Sequence, residues 1–127
     1  MINIGTSIKS ILSDTNLNSL LGGDDRICPI VMPEEMKYPF IVYRTTGLDS
    51  DNNKDVMVDV DIVTMIVVAA DYDASVAIAM KVRDLMENYT DSKINDIELK
   101  NRQEDQNADA FLQILTFNVE NNKQYDI

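Results

Sequence analysis

Oxygen ligands dominate the polar residues of this chain, and three acidic groupings have a spacing that could do chemistry. Asp49-Ser50-Asp51-Asn52-Asn53-Lys54-Asp55 places oxygen side chains at alternate positions, as a calcium loop does. The sixth position of such a loop needs glycine for its sharp turn and here is Lys54. The twelfth needs a bidentate Glu and here is Val60. A solvated hairpin tip explains the stretch better. Asp59 with Asp61, and Asp71 with Asp73, could in principle hold Mg²⁺ for phosphoryl chemistry. No glycine-rich phosphate loop or activated nucleophile accompanies them. Asp71 and Asp73 are better placed to cap a helix, where a carboxylate accepts free N–H groups and suits the helix dipole.

The remaining chemistry is narrow. The chain has no histidine, so His-dependent triads and His general bases are excluded, and Cys28 is the only cysteine. A usual zinc site and an internal disulfide are therefore excluded too. Cys28 reads as a small core residue rather than a reactive thiol. The expectation is a protein that is not an enzyme and carries no cofactor or metal. A formal net charge of −11 argues against binding nucleic acid by phosphate neutralisation, which needs clustered Lys and Arg. It does not argue against a protein that DNA merely passes.

The elements that must position these groups follow from periodicity. Val56, Val58, Val60 and Ile62 alternate with Asp55, Met57, Asp59 and Asp61, the period of a strand with one buried and one wetter face. Asp59 and Asp61 fall on the wetter face in that reading. There they are either an ordinary solvated surface or the acidic lining of a channel. Val63–Val68 is apolar on both sides and should be covered on both faces. Ala74, Ile78, Val82 and Leu85, with Tyr89 a turn later, form the core stripe of a helix. Val76, Met80 and Arg83 point away from that stripe and are candidates for a subunit contact.

Ile4, Ile8, Ile11 and Leu12 mark a first amphipathic helix. Leu17, Leu20 and Leu21 fit a short second piece stopped by Gly22-Gly23. Arg26–Ile30 is a short extended segment that Pro29, lacking an N–H, makes either an edge strand or a connector. Pro39–Thr46 is a strand, and Gly47–Lys54 a polar hairpin tip. Within the tip, Asp49, Asp51, Asn52, Asn53 and Lys54 are the candidate docking residues for a partner. Ile97–Arg102 and Phe111–Val119 are two further strands, with the turn between them at Glu104–Asp109. The 127 residues suit one domain. The order of elements predicts an α+β fold, an antiparallel sheet of four to five strands with two main helices packed on it. No apolar run reaches the roughly 18 residues of a membrane span, and the N-terminus lacks a signal peptide's pattern. A soluble protein of the cytoplasm is the default expectation.

This order resembles the tail-completion, or tail-terminator, proteins of long-tailed bacteriophages. The resemblance rests on the amphipathic helix ending at Leu20-Leu21-Gly22 and on Arg26-Ile27-Cys28-Pro29, similar to the family's Arg-apolar-x-Pro segment. It also rests on the proline-led strand Pro39–Tyr43, the long strand Val56–Val68, the helix with Ala74, Ala77, Val82-Arg83 and Leu85, and the terminal strand pair. It covers nearly the whole chain. It implies a homo-oligomeric ring, usually a hexamer, that caps the tail tube at its head-proximal end. The implied partners are the tail-tube protein and a neck or head-completion protein, with DNA passing through the lumen without specific binding and no membrane contact. The implied location is the virion, after assembly in the host cytoplasm. Rival readings are another neck or connector ring component, or a small cytoplasmic α+β ligand-binding or regulatory module.

Overall fold

The computed structural model describes residues 3–23, 26–30, 37–50 and 58–122. Two short helices open the chain, α1 (Ile4–Ile11) and α2 (Thr15–Leu21). Each has a polar side chain at its start. Asn3 accepts the Thr6 N–H at 3.3 Å, and Asp14 accepts the Leu17 N–H at 3.1 Å. Gly22 closes α2 at φ 84°, a left-handed backbone that glycine adopts without a Cβ penalty. Ile4, Ile8, Ile11, Leu17 and Leu21 are buried.

The strands are β1 (Ile27–Pro29), β2 (Phe40–Ser50), β3 (Val58–Ala69), β4 (Ile94–Asn107) and β5 (Ala110–Asn122). Helix α3 (Tyr72–Glu87) joins β3 to β4. The sheet has five strands in the order β1-β2-β3-β5-β4. Only β1 runs parallel to its neighbour, so the sheet is mixed and mostly antiparallel. The expected α+β class holds, with β1 as the edge strand that Pro29 allows. The three helices share one face of the sheet, where their apolar residues join Ile41, Val63, Met65, Val67, Leu115, Phe117 and Val119 in the main core. A smaller cluster of Phe40, Val68 and Ala110 sits on the opposite face, beside the half-buried Val42, Ile66 and Leu112.

Three expectations are corrected here. The strand Pro39–Thr46 does not end at Thr46. A bulge between Thr45 and Gly47 resets the register, and β2 stays paired with β3 as far as Ser50 opposite Asp59. Gly47 suits this crossing, because a Cβ there would approach Ile62 Cδ1 to 3.3 Å. Gly47–Ser50 is thus strand, not hairpin tip. Likewise β4 runs on to Asn107 and the turn is only Ala108-Asp109, with Ala108 at φ 54°. The polar run Glu104–Asn107 forms one arm of a hairpin and not its turn. Finally, the buried residues of α3 are Ser75, Ile78, Ala79, Val82 and Met86. Ala74 and Leu85 of the expected stripe are half-buried at its margin. Small Ser75 and Ala79 let the helix approach the sheet closely.

Candidate functional site

The acidic pair is the largest departure from expectation. Asp59 and Asp61 are 4% and 3% exposed. They share the strand face of the fully buried Val63, Met65 and Val67, the face on which the helices pack. The alternation is real but its phase is inverted: Val60 and Ile62 lie half-buried on the helix-free face. The run Val63–Val68 is apolar on both faces and could not by itself fix which face the helices cover. In the subunit both side chains are almost wholly buried, and Asp61 borders a groove beside α1.

Asn121 pairs with Asp59 across the strands and is itself fully buried. Its side-chain N–H donates to Asp61 Oδ2 at 2.8 Å. Burial pushes the Asp61 carboxyl above the usual carboxylate range. The Asn121 hydrogen bond opposes this, and the neighbouring Asp59 charge adds to it. Among the described residues no group of three or more His, Cys, Asp or Glu side chains is arranged to hold a metal ion. Of the calcium-like stretch, Asp49 belongs to the backbone of β2, and Asp51, Asn52, Asn53 and Lys54 lie outside the described residues. Asp71 occupies the N-cap position of α3 but makes no side-chain capping bond, and Asp73 lies in the first turn. Their contribution is charge at the helix N-terminus.

The candidate contact residues on α3 are placed outward to different degrees. Met80 is 67% exposed, Val76 is half-buried, and Arg83 is exposed. Arg83 Nε donates to Glu87 Oε1 at 2.6 Å, while Glu87 Oε2 accepts the Leu99 N–H of β4 at 3.0 Å. Burial alone would raise the Glu87 carboxyl. The Leu99 N–H and then Arg83 outweigh it and hold Glu87 below the usual range.

A polar network that sequence reasoning missed pins the start of α3 to the β4–β5 hairpin. Fully buried Gln113 accepts from Arg102 Nε at 3.0 Å and donates to Ser75 Oγ at 3.2 Å and to Glu104 Oε2 at 2.8 Å. Tyr72 donates its hydroxyl to Glu104 at 2.6 Å and packs edge-on against Phe111 at 5.9 Å between ring centres. The signal was one glutamine inside the apolar run Phe111–Val119. Both side-chain polar atoms of buried Gln113 and the Ser75 hydroxyl have partners, so the network reads as a fastening.

What the subunit does present is edges. Strand β1 covers only Ile41–Tyr43 of β2, and Ile30 adds one further bond to the Tyr43 carbonyl. Among the described residues no strand pairs with Arg44–Ser50 on that side. At the other margin, no strand among the described residues pairs with the outer side of the 14-residue β4. A groove of about 1100 Å³ opens where β1 ends, lined by Gly5 and Lys9 of α1 and by Ile30, Tyr43, Arg44 and Asp61. Ile30 stands at its mouth at φ 63° and 65% exposed, a conformation that β-branched residues avoid. Among the described residues no helix is long and apolar enough to cross a membrane.

No protein-family model matches this sequence, and no curated protein matches it. The fold itself has a solved counterpart. A chain from the virion of a native gene transfer agent particle superposes with a TM-score of 0.76 at 15% identity, over 91% of this chain and 91% of that one. The correspondence runs through nearly every element and establishes the shared architecture.

Proposed function

We propose that this protein is a structural, non-enzymatic component of a phage-like virion, a ring at the head-proximal end of the tail. It ends the tail tube and joins it to the neck, with DNA passing through its lumen. The observation that carries this reading is the match of fold over 91% of both chains to a chain of a gene transfer agent virion. The succession of motifs that resembles tail-completion proteins supports the same position.

In this reading the acidic lining does not rest on Asp59 and Asp61, which are buried in the subunit. It passes to the helix-free face, where Asp96, Glu98 and Glu120 stand on β4 and β5. Met80 and Arg83, with Val76 beside them, then lie on the outer, helical side, open to the tail-tube or neck protein. The test is the mass of the purified protein in solution, alone and with purified tail tubes, together with electron microscopy. Closed rings, six-membered by the resemblance, are expected. A protein that stays monomeric under both conditions and leaves tube ends uncapped overturns the reading.

A further inference from the structure

We propose that Asp59, Asp61 and Asn121 hold a calcium ion at the end of the β3–β5 ladder. The observation behind this is an orphaned oxygen. Asn121 is fully buried, and its side-chain Oδ1 has no hydrogen-bond partner. The other arm of the same amide is used: Nδ2 donates to Asp61 Oδ2 at 2.8 Å and to the Val119 carbonyl at 3.4 Å. A buried acceptor without a donor is costly, and native proteins leave few of them. An ion or a water accounts for such an atom, and its surroundings decide between the two.

Those surroundings are anionic. Asp59 stands directly opposite Asn121, and Asp61 opposite Val119, on the same face of the sheet. Two buried carboxylates and an amide oxygen therefore share one place, on neighbouring strands whose ladder fixes the backbone beneath them. The nitrogen and oxygen of Asn121 belong to one planar amide, so the bond to Asp61 holds the orphaned oxygen beside that carboxylate. Asp59 makes an interaction of its own, and the unsatisfied atom is the amide oxygen. Among the described residues no lysine or arginine forms an ion pair with Asp61. Burial and the Asp59 charge disfavour its ionised form, while the Asn121 bond and, least, the N-terminal charge favour it. A water would satisfy the oxygen and leave the charge. A divalent cation satisfies both.

The donor set selects the ion. All three donors are hard oxygens, and the third is an amide, so no triad of acidic side chains marks the place. Calcium takes carboxylate and Asn oxygens in a flexible shell of about six to eight ligands, completed by waters and backbone carbonyls. Magnesium demands a near-ideal octahedron and sheds its waters reluctantly, which suits three side chains fixed on two strands less well. Asp61 also borders the groove beside α1, where the Thr6 and Ser10 side chains line a polar route inward. The ion's part is structural. It ties β3 to β5 where the ladder with β2 ends, at Ser50 opposite Asp59. The site departs from the expectation of a metal-free chain, and it stands independently of the ring reading.

Calcium titration of the full chain tests the site. Magnesium is the charge-matched control, because any divalent salt screens a chain of net charge −11. After treatment with a chelator, millimolar calcium should raise the thermal midpoint by roughly 4 °C or more, and calorimetry should show a single ion bound per chain. Magnesium should raise the midpoint much less. No response to calcium, or an equal response to magnesium, overturns the site. Asp61→Asn removes one charge at nearly constant shape and should lower calcium affinity by about tenfold or more. Asn121→Asp turns the orphaned amide into a third carboxylate. It should melt lower than wild type in chelator and gain more from calcium. An unchanged calcium response in either variant places the ion elsewhere and also overturns the site.

Discussion

Asp61 shows how the placement of one residue sets the sign of a pH response. Its burial raises its proton affinity, and the Asn121 hydrogen bond does not cancel that. The folded protein therefore holds this proton at a pH where the unfolded chain, with an ordinary value near about 3.9, has released it. The stability it contributes is fully present below the unfolded value and is lost as pH rises through the raised folded one. Glu87 has the opposite sign, because its folded value is depressed. Its contribution is present above the ordinary glutamate value of about 4.3 and is lost as pH falls through the folded one. Asp61→Asn should thus flatten the decline in stability with rising pH and leave the neutral protein at least as stable as wild type. Urea midpoints measured from mild acid to neutrality check this, and a midpoint curve parallel to wild type contradicts it. Glu87→Gln should weaken the bond to the Leu99 N–H and lower neutral stability by about 1 kcal/mol. The residue types at both sites were plain in the sequence. The face each would occupy was not, because strand alternation gives two faces without saying which one the helices cover.

At the scale of elements, legibility followed the apolar residues. The helix starts at Asn3 and Asp14, the stop at Gly22 and the edge position of Pro29 all come from local chemistry, and sequence reasoning found the stop at Gly22 and allowed the edge at Pro29. The polar halves of β2 and β4 escaped it. Gly47–Ser50 and Glu104–Asn107 carry almost no apolar alternation, so they read as loops. They are strands because a long partner, β3 or β5, supplies continuous hydrogen bonding beside them. For the β4–β5 hairpin, the buried Gln113 joins Ser75 of α3 to Glu104 and Arg102. Gln113→Ala should strand these partners and cost about 2 kcal/mol, with the hairpin tip exchanging its amides faster while the main core does not. A uniform loss of protection throughout the sheet would show that the network belongs to the global core instead. Ile30, in the left-handed region at the end of β1, gives the converse case. Ile30→Asn should stabilise the free subunit by about 1 kcal/mol in chemical denaturation, since asparagine tolerates that backbone. No gain would mean that the backbone there relaxes without strain.

On the scale of the whole molecule, the helices lie on one side of the sheet and carry the core with them, so the two faces would meet different surroundings in the proposed ring. The helix-free face holds a feature that stability alone does not favour. Asp96 and Glu120 stand directly opposite each other on β4 and β5, and like charges at that spacing repel. In the proposed ring, the pair would repeat as a band of negative charge around the passage for DNA. DNA in the passage carries about one negative charge per 1.7 Å of its axis. A repulsive wall keeps the duplex centred and free to slide, whereas each attractive phosphate contact adds affinity that movement must break. Screening limits the effect to about 8–10 Å at physiological salt, so only residues at the wall matter. Asp96→Lys separates the two effects. It converts the repelling pair into an attracting one, so the subunit should gain about 0.5 kcal/mol in denaturant unfolding. Particles carrying it should form, but their DNA should leave more slowly, with the delay growing as salt is lowered. A variant that gains stability while ejecting DNA at the wild-type rate in low salt would place the helix-free face away from the passage.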